Sequence, residues 1–354
     1  MRILLISEEI TSSPSEGLLV FTMHICRYLA ERHKVTLLHK SGSPDPGLES
    51  HPILRGRLHI SMELRRFYRE EAFDLIIYLP SSGITGMGMI RSNIIRVSSS
   101  TPLILIGLQS RNINSIHRYA SFFHPPDVIL SPVKKMRKEL EDFGYQTEYI
   151  MPGFDERSFK PAGIEEKIRL KKKYGFPENK FLVLHVGHIK ESRNLQTFLR
   201  YREWGNDILP VIKGGEVEPS WRDRLRMAGI IVIDEYTDDI HELYQACDLY
   251  LFPVSSNCGA LEFPLSVIEA AACNLPTLTT RFGALPDILK ESEGYLYYDE
   301  SAEIPEKIGI LRESRPETSH LVSQFSWSNV FDRYLEPHLT LLSRKKERQK
   351  NDDL

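Results

Sequence analysis

Two carboxylates, Glu262 and Glu269, stand in a stretch, Gly259–Pro276, that has little else to offer solvent. Pro264 suits a helix start, because its fixed φ fits the first turn and its missing N–H costs nothing there. Leu265, Val267 and Ile268 are apolar, and Ala270, Ala271 and Ala272 favour helix and close packing. Asn274 suits a left-handed helix end, with Pro276 as the stop. The spacing predicts a short buried helix that turns its N-terminus, a ready anion site, and a Glu toward a cleft. A carboxylate among Val267, Ile268 and three alanines is costly without a partner, so Glu269 reads as a functional group.

Other polar groups follow apolar runs that read as strands. Gly187-His188 follows Phe181–Val186, with Arg193 a few residues on, and Lys213-Gly214-Gly215 closes the run Leu209–Lys213. Arg193, Lys213, a glycine-flanked turn and a helix start at one sheet edge suit a diphosphate. Glu269 could then hold the vicinal hydroxyls of a ribose. Taken singly these are weak signals. Turns need glycine anyway, a lone arginine is commonly a surface residue, and His188 fits a structural reading as well as a functional one.

The elements that must position these residues repeat a simple pattern. Short apolar runs separated by helices imply parallel strands buried on both faces. In the first half they are Ile3–Ser7, Val35–His39, Asp74–Leu79, Leu103–Gly107, Val128–Leu130 and Glu148–Ile150. A helix is predicted over Leu18–Arg32, and another from Ser131-Pro132, with Ser131 as N-cap and Gly144 as the stop. Met151–Lys180, broken by Pro152-Gly153 and Pro161, reads as a joint with a solvated helix over Ile164–Tyr174. The alternation then restarts with strands at Phe181–Val186, Leu209–Lys213, Ile230–Ile233, Leu249–Phe252, Thr277–Thr280 and Tyr295–Tyr298, and helices include Ile240–Ala246 and Ser266–Cys273. Beyond Pro316 the apolar residues recur at helical spacing, and the charged tail Arg344–Leu354 is expected to fray.

The chain's 354 residues suit two domains. A net charge of -3, from 45 basic and 48 acidic residues, gives no reason to expect nucleic-acid binding. Cys26, Cys247, Cys258 and Cys273 lack metal or disulfide spacing, which fits a reducing, cytoplasmic compartment. Ile3–Ile6 is too short for a signal peptide or a membrane span. The basic run Arg344-Lys345-Lys346 with Arg348 and Lys350 is read as a solvated end, and weak peripheral contact with the inner face of a membrane is the alternative. No G-x-G-x-x-G follows the first strand, where Ser7 leads into Glu8-Glu9-Ile10, which argues against a nicotinamide dehydrogenase.

The stretch Glu262–Pro276 resembles the signature of the retaining glycosyltransferases of family 4, the glycosyl transferases group 1. Weaker matches fall in the family's order. They are Pro152-Gly153-Phe154-Asp155 with Phe159-Lys160-Pro161, Val186-Gly187-His188 with Arg193-Asn194, Leu243–Asp248, and Gly283–Asp287. The resemblance implies α/β architecture of GT-B type, with two facing Rossmann-like doubly wound domains and a C-terminal helix returning to the first. Residues 1–153 with 326–354 would form the acceptor-side domain, and 154–325 the donor-binding domain. It also implies a hexosyltransferase that moves a sugar from a UDP- or GDP-sugar to a hydroxyl of a sugar, lipid-linked or polysaccharide acceptor, with retention.

In that reading Glu269 holds the donor's ribose and Glu262 the transferred sugar. The amides near Leu265 and Ser266 face the diphosphate, beside Gly187. Arg193 replaces the family's phosphate-binding lysine, Tyr236 lies near the base, and Gly17 and Gln109 belong to the acceptor side. There are departures. Six residues separate the two glutamates where the family usually has seven, and His188 stands where an arginine is common, so Lys213 becomes a candidate for the missing charge. The family's acceptor-side histidine has no counterpart among Leu108, Gln109 and Ser110, and His117 lies further on. Fixed cations and helix-start amides would stabilise the leaving diphosphate. With no D-x-D-like cluster near the site, no metal or other cofactor is expected. The alternatives are a sugar-nucleotide epimerase on the same fold and a non-catalytic nucleotide-sugar binding subunit.

Overall fold

The computed structural model describes residues 1–11, 17–44, 47–54, 56, 58–109, 111–237, 239–255, 260–314 and 316–352. Gly259, Cys258, Ser110 and most of the loop Ile10–Gly17 therefore lie outside the described residues. The chain divides into two units, Met1–Pro152 with Trp327–Leu354, and Gly153–Ser326.

In the first unit the strands are β1 (Arg2–Ser7), β2 (Glu9–Thr11), β3 (Lys34–Leu38), β4 (Ser41–Ser43), β5 (Glu49–His51), β6 (Leu75–Leu79), β7 (Leu103–Ile106), β8 (Val128–Leu130) and β9 (Thr147–Glu148). Seven of them form one parallel sheet in the order β5-β3-β1-β6-β7-β8-β9, and β2 pairs with β4 alone. Strands such as Leu75–Leu79, buried at every position, are what a sheet covered on both faces requires. The covering helices are α1 (Gly17–Ala30), α2 (Met62–Glu70), α3 (Gly86–Ser99), α4 (Ser115–Ala120) and α5 (Lys134–Glu141).

The second unit holds α6 (Ile164–Lys173), β10 (Phe181–Val186), β11 (Ile208–Lys213), β12 (Ile231–Ile233), α7 (Pro219–Met227), α8 (Ile240–Ala246), β13 (Leu249–Phe252), α9 (Leu265–Ala272), β14 (Thr277–Thr279) and β15 (Tyr295–Tyr297). Its sheet is parallel in the order β12-β11-β10-β13-β14-β15. Each sheet reverses its winding once, at β1/β6 and at β10/β13. The carboxyl edge at such a reversal is where open α/β sheets form ligand crevices.

Three details depart from the sequence expectations. The helix expected from Ser131 begins at Lys134 with Val133 as N-cap, because the Ser131 hydroxyl accepts the Val133 amide in a local turn instead. Pro264 is the N-cap of α9 rather than its first residue. The tail, expected to fray, is helical as far as Asp352, with the Lys345 ammonium 3.3 Å from Asp127 and the Lys346 ammonium on the Phe73 carbonyl. Trp327 and Phe331, on the helix before it, pack edge-on against Phe21 of α1, at 5.8 and 5.6 Å between ring centres.

Candidate functional site

The carboxyl edge of the second sheet brings together most of the residues singled out in the sequence. Parallel pairing of β10 with β11 sets Val186 beside Lys213, and the Gly187 amide continues the ladder to the Lys213 carbonyl. A Cβ at position 187 would lie 3.2 Å from His185 Nε2 and 3.5 Å from Arg193 Nη1, so the glycine leaves room for a guanidinium folded against the turn. Arg193 is buried at the end of a short 3-10 turn, Glu191–Arg193. Asn194 follows in the left-handed region, with φ at 55°, and its side-chain amide donates to the Pro253 carbonyl at 2.9 Å. That bond ties the loop after β10 to the chain leaving β13, across the point where the sheet reverses.

The histidines and the lysine at this edge do not act as free cations. His185 is fully buried and sets its Nδ1 3.1 Å from the Leu251 carbonyl, while its Nε2 has no hydrogen-bond partner. Burial and the neighbouring Arg193 push it down to about 3. His188 accepts the Glu216 amide at Nδ1, which leaves the proton on Nε2. Burial, then Arg193 and Lys190, hold it near 4 against the pull of Glu216. His188 is therefore neutral at pH 7 and offers one N–H, not the positive charge of an arginine. The Lys213 ammonium donates at 2.8 Å to the carbonyls of Gly214 and Glu235, and burial lowers its pKa against the opposing charge of Asp234. A phosphate would have to draw it off those carbonyls.

From Leu265 on, the helix forms as its apolar pattern predicts. Helix α9 buries Leu265, Val267, Ile268, Ala270, Ala271 and Ala272, and Asn274 ends it with φ at 55°. The Ser266 hydroxyl pairs with that of Tyr250 on β13. Glu269 keeps part of its surface open, yet its carboxyl is walled by protein, and burial pushes it up to about 7. Its one opposing influence is Tyr244 of α8, whose hydroxyl donates at 2.8 Å. Glu262 is buried, and its main-chain carbonyl accepts the Ala284 amide. Gly283 has φ at +55°, and a Cβ there would lie 2.3 Å from the Glu262 carbonyl oxygen and 2.8 Å from its carboxylate, so only glycine fits. Tyr236 lies beyond β12, more than half exposed.

In the first unit, Gly17 opens α1, and the Gln109 side chain accepts from Arg111, whose Nε donates to the Ser82 carbonyl. His117 is fully buried. It completes a capping box with Asn114 and sets Nε2 3.1 Å from the Ile84 carbonyl, so it is part of the scaffold.

Sequence reasoning passed over three groups. Tyr244, the partner of Glu269, stood in the sequence only as one position of the Leu243–Asp248 match, and His185 carried no signal beyond its place in a strand. The third is Glu8, at the end of β1, at the first sheet's reversal. Its carboxylate receives Arg91, the Ser81 hydroxyl, Tyr78 at 3.2 Å and His59 at 3.3 Å. Burial opposes ionisation, but His59, Ser81 and Arg91 outweigh it and hold Glu8 at about 2. A carboxylate one residue beyond the apolar run Ile3–Ile6, after Ser7, was the available clue. Among the described residues, no three His, Cys, Asp or Glu side chains are grouped closely enough to hold a metal ion.

Comparison with known proteins fits this geometry. The model of the family Glycosyl transferases group 1 matches residues 166–323. The chain is similar to the alpha-galactosylglucosyldiacylglycerol synthase of Streptococcus pneumoniae, 24% identical over 198 residues that cover 51% of this chain and 49% of that protein. It is also similar to the sulfoquinovosyl transferase SQD2 of Arabidopsis thaliana, 26% identical over 199 residues that cover 52% and 36%. It thus spans half or less of the length of these curated relatives. Among solved structures, HepE of Anabaena in complex with UDP and glucose superposes with a TM-score of 0.70 at 14% identity, over 99% of both chains. The glycosyltransferase WaaG superposes with a TM-score of 0.63 at 14% identity, over 97% of this chain and 98% of that one. The fold is that of these GT-B structures, two Rossmann-like α/β units with parallel sheets.

Proposed function

We propose that the chain is a retaining glycosyltransferase that moves a hexosyl group from a UDP- or GDP-sugar to an acceptor hydroxyl without a metal ion. The observation that carries this reading is the convergence on one sheet edge of Arg193, the Gly187 turn, the N-terminus of α9 and the Glu269 carboxyl. Arg193 and the first amides of α9, at Leu265 and Ser266, take the diphosphate and stabilise the charge that develops on it as the glycosyl bond breaks. His188 adds a neutral N–H, and Lys213 contributes its charge if the phosphate competes with its two carbonyls. Glu269 accepts the ribose hydroxyls, Glu262 those of the transferred sugar, and Tyr236 lies along the base. The first unit, with Gly17 and Gln109, is the acceptor side. Retention rests on the family resemblance, since the two glutamates are not a glycosidase pair. A cytoplasmic location fits free thiols at Cys26, Cys247 and Cys273.

Calorimetric titration with UDP, GDP and their sugars tests the donor site. Wild type should bind one nucleotide class, and Glu269→Ala should weaken it about 100-fold, as expected for losing hydrogen bonds to a charged group. Unchanged affinity would sink the assigned role. Analysis of the products decides the reaction. Sugar attached to an acceptor supports transfer, and turnover should survive a chelator. Release of free UDP with an epimerised or hydrolysed sugar in the absence of acceptor would support the epimerase reading. Tight binding without turnover would identify a binding subunit.

A further inference from the structure

Helix α4 and the turn after it carry their apolar side chains on the wrong side for a soluble surface. Tyr119, Phe122 and Phe123 are 67%, 72% and 71% exposed, and Ile116 is 44% exposed. Large aromatics grouped in this way mark an interaction surface rather than scattered surface residues. The helix cannot roll to bury them, because its inner face is fastened. The buried ring of His117 meets the Ile84 carbonyl, its main-chain carbonyl accepts the Tyr145 hydroxyl at 2.6 Å, and the Ala120 carbonyl accepts the Asn93 amide at 3.0 Å.

The segment that carries the patch is one-sided in charge. From Leu75 to Pro126 the sequence contains no Asp or Glu, although 48 of the 354 residues are acidic; of its four arginines, Arg91 is paired with Glu8 and Arg96 with Asp127, and the other two are Arg111 and Arg118. Arg118 and His124 are exposed beside the aromatics. The first carboxylate beyond the stretch, Asp127, is already paired with Arg96 at 3.2 Å and Lys345 at 3.3 Å.

We infer that the α4 turn of the first unit is a docking site for an anionic lipid bilayer, with Tyr119, Phe122 and Phe123 entering the headgroup region and Arg118 lying among the phosphates. Tyrosine and phenylalanine beside basic groups suit that interface. Four apolar side chains are far fewer than the roughly 20 to 30 residues a side of a stable protein interface, whereas a bilayer needs only a few inserted rings and imposes no matching shape. The tail's Lys345 and Lys346, the basic run that suggested membrane contact from sequence, are bound to Asp127 and to the Phe73 carbonyl.

The test is flotation of the whole protein with vesicles of equimolar phosphatidylglycerol and phosphatidylcholine at low salt, and with phosphatidylcholine alone. Wild type should float with the anionic vesicles and much less with the neutral ones. The triple variant Tyr119→Ser, Phe122→Ser, Phe123→Ser should lose about tenfold or more in vesicle affinity, since each inserted ring contributes buried apolar area. Arg118→Glu should weaken binding to the anionic vesicles selectively. The melting temperature of each variant should match wild type, which separates lost docking from lost folding. Wild type that stays unbound, or a triple variant that floats as wild type does, would overturn the inference. So would a concentration-dependent dimer of wild type, seen by light scattering, that the triple variant abolishes, because the patch would then serve a second copy of the chain.

Discussion

The two sheet reversals put a buried carboxyl group in opposite conditions. At the first, Glu8 is held by four side-chain donors drawn from His59, Tyr78, Ser81 and Arg91, and ionises at about 2. At the second, Glu269 has one neutral donor, Tyr244, and titrates near 7. A carboxylate whose oxygens are already occupied is a fastening: it locks the loop after β6 and helix α3 to the end of β1. A carboxyl buried with a single hydroxyl is an acceptor kept short of donors, and vicinal ribose hydroxyls would supply what it lacks. Burial alone does not separate structural from binding carboxylates; the number of donors the protein itself provides does.

Three measurements would break or sharpen that contrast. The largest effect is expected at Glu8. Glu8→Gln leaves Arg91 short of its charge partner in a nearly closed site and should cost about 3 kcal/mol of stability at pH 7, read by chemical denaturation. Because the folded pKa is depressed, the wild-type contribution is present above about pH 4.5 and is lost as pH falls toward 2, so wild type and variant should converge in acid. A variant as stable as wild type would mean that Glu8 is not the fastening described.

At Glu269 the sign reverses. Its folded pKa is raised, so the stability it provides is present below about pH 4.5 and is lost as pH rises through about 7. Glu269→Gln should therefore raise the ligand-free protein's stability at pH 8 by about 1 to 3 kcal/mol and have little effect at pH 4.5. A variant less stable than wild type at pH 8 would place Glu269 with Glu8 as a structural group. The smallest effect is expected from Tyr244→Phe. It removes the one donor that favours ionisation, so the pH midpoint of nucleotide binding should rise by less than about one unit. A midpoint that falls would exclude the hydroxyl as the donor.

These two carboxylates also mark how far the sequence could be read. The burial of the Glu269 carboxyl was legible because its reasons are local: Val267, Ile268 and three alanines make a short apolar helix. Glu8 was not, because Tyr78, Ser81, Arg91 and His59 stand 70, 73, 83 and 51 residues away. The same division holds for the strands. Phe181–Val186, Leu249–Phe252 and Val128–Leu130 announce themselves as apolar runs. The short strands Glu9–Thr11 and Ser41–Ser43, which pair only with each other, and Glu49–His51, at a sheet edge, become strands only through the neighbour each one finds. That His188 cannot supply an arginine's charge was legible in its residue type, but how far its pKa falls was not, since that follows from burial first and then from Arg193 and Lys190 beside it.

The first unit is written in two instalments, with Gly153–Ser326 between them. Phe21 and Tyr28, in the opening helix, wait for Trp327, Phe331 and Asp332 near the end of the chain to close over them. On the ribosome the order of completion is therefore inverted: the unit that begins second has all its residues first. Until the last segment emerges, the first unit keeps an aromatic cluster uncovered.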